Sequence, residues 1–172
     1  MRVSSLSISD HRRTRRDALV LAGIVLLSVG LYLGLSGLYY RIGFPLDDAW
    51  IHQTYARNLA LRGEWAFIPG KLSGGSTAPL WSALLAVGFW LKLAPYAWTY
   101  LLGAAALWGL CVLGENTIRG LVPTYRPRFP WVGAALALEW HLAWSAASGM
   151  ETLLYALLAT AASMSGRGPV WG

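Results

Sequence analysis

Ala78-Pro79-Leu80-Trp81-Ser82-Ala83-Leu84-Leu85-Ala86-Val87-Gly88-Phe89-Trp90-Leu91 is almost wholly apolar, and its length sets the topology of everything around it. Fourteen residues of helix reach about 21 Å, against a hydrocarbon thickness of about 30 Å. The segment therefore predicts a helix lying at or dipping into a membrane interface, a depth that suits Trp81, Trp90 and Lys92. If it spans instead, the bilayer thins locally, Lys92 snorkels and every later element changes sides. The short reading keeps residues 114–129, with Arg119, Arg126 and Arg128, on the side of the basic N-terminus, as the positive-inside rule requires. It also puts Asp47, Asp48 and Glu151 together on the outer side.

Upstream, residues 18–40 carry no charge over twenty-three positions, more than the roughly 20 needed to cross the hydrocarbon. They predict a retained first spanning helix, since a cleaved signal peptide has a shorter apolar stretch and a small-residue cleavage site. Five of the fourteen basic residues, Arg2, Arg12, Arg13, Arg15 and Arg16, precede that run. The net charge of +6 thus reads as a topology signal facing an anionic cytoplasmic leaflet, not as nucleic-acid binding. Downstream, residues 96–113, 130–147 and 152–164 are apolar, the last of them short for a span. With 56% hydrophobic residues and ten tryptophans, the composition is that of a membrane protein. Cys111 is the only cysteine, which excludes an intrachain disulfide or a cysteine-based metal site.

The expected fold is an all-α integral membrane protein, multi-pass with a cytoplasmic N-terminus. About four transmembrane helices are expected, with one or two interfacial helices in the first outer loop. Its parts are a basic N-terminus (1–17), a first span (18–40) and an outer loop (41–95) carrying helices near 47–62 and 78–91. A second span (96–113), a cytoplasmic loop (114–129), a third span (130–147) and an outer turn (148–151) follow, then a short fourth span (152–164) and a tail (165–172). The abrupt ending predicts a truncated product, a broken reading frame or the first half of something larger.

The chemistry-bearing residues fall in the outer segments. Two adjacent acids, Asp47 and Asp48, follow Pro45 where a helix is expected to start, with Asp47 as N-cap, Asp48 at the positive end and Gly63 as terminator. Asp48, His52 and Tyr55 share one face of that helix, predicted to be an exposed polar face, while Trp50, Ile51, Leu59 and Leu61 supply apolar area. The acids either cap the helix or bind a cation and do proton chemistry. Gly74-Gly75-Ser76-Thr77 either presents N–H groups and hydroxyls to a phosphate, with Lys71 adding charge, or is an ordinary turn into the helix that begins near Pro79. Glu151, in Ser148-Gly149-Met150-Glu151-Thr152, is a further outer carboxylate. Glu139 and His141 sit inside an apolar run, so each needs a partner or a wet cavity.

Taken in order, Asp47-Asp48-Ala49-Trp50-Ile51, Tyr55-Ala56-Arg57-Asn58-Leu59, Phe67-Ile68-Pro69-Gly70, Ser76-Thr77-Ala78-Pro79-Leu80-Trp81 and Ser148-Gly149-Met150-Glu151-Thr152 resemble the start of a GT-C membrane glycosyltransferase. The likeness is nearest to the branch of actinobacterial cell-wall arabinofuranosyltransferases and covers roughly residues 18–164. It implies a partial GT-C fold and inverting transfer of a sugar from a polyprenyl-phosphate donor to an acceptor hydroxyl on the outer face, in cell-envelope glycan synthesis. It also implies that Asp47 is the general base or orients the acceptor, with Asp48 its neighbour and Glu151 the second-loop acid. Substrate contacts are expected from His52, Tyr55, Arg57, Lys71, Ser76 and Thr77. The leaving phosphate is expected to be offset by Arg57, Lys71 or a divalent cation held by Asp47, Asp48 and Glu151. Family members are several times longer, so a missing C-terminal half is an expected partner, along with membrane lipids. The competing reading is a small non-catalytic helical membrane protein that binds a lipid headgroup or a partner protein. A transporter fragment would need acids along a transmembrane path, where only Glu139 is placed.

Overall fold

The computed structural model describes residues 8–165. Arg2 and the tail beyond Ser165 lie outside the described residues, and Arg12 outside the described side chains. Among the described residues seven helices run in the order α1 (Ile8–Tyr39), α2 (Asp47–Arg62), α3 (Pro79–Trp90), α4 (Pro95–Leu121), α5 (Trp131–Leu138), α6 (Trp140–Ala147) and α7 (Thr152–Ser165). Among the described residues there is no strand, only an isolated antiparallel bridge between Ile68 and Lys71. Among the described residues two helices, rather than four, are long and apolar enough to cross a membrane, over Arg13–Tyr39 and Pro95–Leu121. Helix α3, at 12 residues, is about 18 Å long and packs mainly against α2. Trp81, expected at an interface, is instead buried, and its indole N–H donates to the Gly149 carbonyl at 2.8 Å.

Helices α1 and α4 run antiparallel. Asp17 meets Arg119 at one end, and the Tyr100 hydroxyl donates to the Gly43 carbonyl at the other. Between them the core is built from Leu21, Val25 and Val29 of α1, Leu107 and Cys111 of α4, and the small residues Ala134, Ala137 and Ala146 of α5 and α6. Small side chains let the backbones close up. A Cβ on Gly103 would stand 2.0 Å from the Ala146 carbonyl oxygen, which belongs to the backbone and cannot turn away. Gly103→Ala is therefore expected to force α4 and α6 apart at a cost of about 1–3 kcal/mol, read as a lower thermal midpoint of the solubilised protein. An unchanged midpoint would show that the crossing is looser than this.

Two expectations are corrected. The second span was expected to end at Leu113, with Arg119 in the cytoplasmic loop that follows, yet α4 continues to Leu121 and takes in Glu115 and Arg119. The charges stay inside because they pair. Arg119 Nη2 lies 2.8 Å from both Asp17 Oδ2 and Glu115 Oε1, and Glu115 Oε2 accepts the N–H groups of Val132 and Gly133 at 3.0 and 3.1 Å. Arg16 completes the cluster on Asp17 Oδ1, while Arg13 and Arg16 donate to the carbonyls of Pro127 and Arg128. The basic start of α1 and the arginine-bearing 122–130 segment thus share one end of the molecule.

The second correction concerns residues 130–147, which form two helices and not one. Glu139 leaves the helical conformation (φ −69°, ψ 120°) and its carboxylate accepts the Leu142 N–H at 2.9 Å, capping α6. His141 Nδ1 approaches the other carboxylate oxygen at 2.6 Å. The two polar residues in the apolar run therefore serve each other, at the level of the middle of α4, since Gly133 abuts the Cys111 backbone and Ala146 abuts Gly103.

Candidate functional site

The end opposite the arginine cluster is formed by α2, α3, the 64–77 loop and the 148–151 turn. Helix α2 starts one residue earlier than expected: Leu46 is its N-cap (φ −117°, ψ 139°), so Asp47 is the first helical residue and caps nothing. Both acids still lie in the first turn, where the helix dipole favours them. Gly63 ends the helix as expected, at φ 68°.

The expected exposed polar face of α2 is largely turned inward. Only Asp48 of the predicted trio is exposed; His52 and Tyr55 each keep 1% of their surface. Burial is tolerated because each of these side chains makes at least one hydrogen bond, although Gln53 Oε1 and His52 Nε2 make none. Gln53 donates to Thr99 Oγ1 at 2.7 Å, and Asn58 donates to the Ala66 carbonyl at 2.8 Å. The Tyr55 hydroxyl lies 2.6 Å from Ser73 Oγ and accepts the Gly75 N–H at 2.8 Å. Of the residues expected to supply apolar area, Trp50 is partly exposed against Phe44 and Tyr96, and Leu61 faces outward.

His52 is the hub. Its Nδ1 lies 3.2 Å from the hydroxyls of both Ser76 and Ser82, which are 2.9 Å from each other. Its Nε2 lies 3.2 Å from Glu151 Oε2, but off the line of a hydrogen bond, so both atoms are buried without a completed one. One imidazole therefore ties together α2, the 64–77 loop, the start of α3 and the 148–151 turn. The turn is held from the other side too, because Gly149 (φ 83°) sits where a Cβ would strike Phe44 and Ala49.

The nine predicted site residues divide accordingly. His52, Ser76 and Glu151 come together, and Thr77 shares with Glu151 a groove between α3 and α7. Tyr55 pins the loop. Asp47, Asp48, Arg57 and Lys71 are exposed, and among the described residues their side chains form no hydrogen bond or ion pair. The phosphate cradle expected at residues 74–77 has spent two of its groups internally, the Gly75 N–H on Tyr55 and the Ser76 hydroxyl on His52 and Ser82. Comparison with protein-family models, curated proteins and solved structures finds no match to the chain.

A divalent cation does not fit the acids as expected. Among the described residues no three histidines, cysteines, aspartates or glutamates gather, so Asp47, Asp48 and Glu151 do not form a three-ligand set. Sequence reasoning missed Ser82, Gln53 and Thr99. Ser82 carried one signal, as a lone hydroxyl in the otherwise apolar 78–91 segment.

Proposed function

We propose that the chain is the N-terminal, acid-bearing part of a multi-pass membrane glycosyltransferase that moves a sugar from a polyprenyl-phosphate donor to an acceptor hydroxyl. The observation that carries this reading is the 3.2 Å approach of Glu151 to His52. It joins two segments far apart in sequence that the GT-C resemblance quotes, at the end of the bundle where Asp47 and Asp48 stand exposed. In this reading α1 and α4 cross the bilayer, with α5 and α6 together and α7 completing four crossings. The arginine cluster faces the cytoplasm and the acids face outward, in agreement with the positive-inside rule. Chemically, an exposed carboxylate takes the acceptor proton as its oxygen attacks the anomeric carbon, and the polyprenyl phosphate departs with the bonding electrons.

The topology is tested with single cysteines at Leu72, Thr124 and Thr152 in a Cys111→Ala background, all three exposed. An impermeant thiol reagent on intact cells is expected to label 72 and 152 but not 124. Labelling at 124 with silence at 152 would separate Glu151 from Asp47 across the membrane and overturn the shared site. Transfer is tested in native membranes that hold the chain together with any polypeptide that completes it, supplied with a decaprenyl-phosphate-linked radiolabelled pentose and a hydroxylated lipid acceptor. Release of decaprenyl phosphate with labelled acceptor is expected. No turnover by the wild-type chain would return the protein to the non-catalytic reading, binding of a lipid headgroup or a partner.

A further inference from the structure

Between the start of α3 and α7 lies an open groove of about 420 Å³, within the roughly 300–1,000 Å³ usual for small-molecule sites. Pro79 and Leu80 form one wall, and Leu154 and Leu158, one helical turn apart, form the other. Its polar side chains are Thr77, just before α3, Glu151 and Thr152 at the start of α7, and Tyr155 further along α7. Glu151 keeps 27% of its side-chain surface while its Oε2 is turned inward against the buried imidazole of His52. The groove is therefore an amphiphile's shape, an apolar channel headed by a carboxylate and a hydroxyl.

The sign of that head selects the ligand. A carboxylate accepts from a hydroxyl and repels a phosphate. Among the described residues no lysine or arginine lines the groove to offset a second negative charge. We propose that this groove binds a neutral lipid-anchored alcohol, with its alkyl or isoprenoid chain along Leu154 and Leu158 and its hydroxyl at Glu151. Its role as the acceptor site rests on the transferase reading above, in which the anionic donor then lies elsewhere. His52 acts here as a positioning residue, holding one carboxylate oxygen so that the rest of the group faces the ligand.

The test uses the full chain in nanodiscs with a decyl β-glucoside carrying a diazirine at the end of its chain. Photolysis is expected to label Leu154, Tyr155 or Leu158, with competition by decyl β-glucoside but not by decyl phosphate. Leu158→Trp fills the groove from a partly exposed position and is expected to abolish this labelling while leaving the elution profile unchanged. Glu151→Gln keeps the size and is expected to weaken competition by about tenfold. The proposal is overturned if decyl phosphate competes as well as the glucoside. It is equally overturned if labelling survives Leu158→Trp or spreads evenly to the exposed Leu26 and Leu27 of α1. Binding is read without turnover, so a groove that binds in a protein that transfers nothing would sink only the transferase reading.

Discussion

Arg119→Met is expected to cost about 3–5 kcal/mol of stability, because it strands two buried carboxylates at once. Asp17 and Glu115 keep 3% and 1% of their surface, and Arg119 is the cation that touches both. Arg16 reaches only Asp17 Oδ1, from an exposed position, so it replaces little of that charge. At roughly 2–4 °C per kcal/mol for a chain of this size, the midpoint should fall by about 10 °C. The network carries its own control. Adding Asp17→Asn and Glu115→Gln to Arg119→Met removes the uncompensated charge, and the triple variant is expected to recover most of the loss. A midpoint within about 2 °C of wild type for the single variant would mean that water already reaches the carboxylates.

The same cluster shows where the sequence was legible and where it was not. The charge-free run at 18–40 and the left-handed Gly63 could be read because each depends on residues adjacent in the chain. The second span was ended at Leu113, short of Glu115 and Arg119, because hydropathy weighs each charge singly. The partner that keeps them inside, Asp17, lies before the first apolar run. His52 was misplaced for a related reason. Helical periodicity put Asp48, His52 and Tyr55 on one face, but which part of that face is covered is settled by Ser76, Ser82 and Glu151, none of them on α2. Glu139 was noticed as needing a partner, yet nothing near it signalled a break, since the cap on α6 is made by its own side chain and not by a glycine or proline.

Asp47→Asn is expected to lower sugar transfer by about 10²–10⁴-fold while barely changing stability. The carboxylate is exposed and its side chain has no partner, so removing its charge forfeits only its attraction to the positive end of α2, about 0.3–1 kcal/mol. Glu151→Gln should behave differently. That side chain touches His52, so the substitution alters a buried contact at the junction of four segments and is expected to lower both the thermal midpoint and transfer. Asp48→Asn separates the remaining possibilities, since Asp48 lies one turn before His52 on the same face and is equally exposed. If Asp48→Asn abolishes transfer and Asp47→Asn does not, the base is Asp48, and the resemblance is out of register by one residue. If neither lowers transfer in a chain that turns over, the exposed acids serve only the helix start. The proton must then pass to Glu151, which lines a cavity and is backed by a buried imidazole.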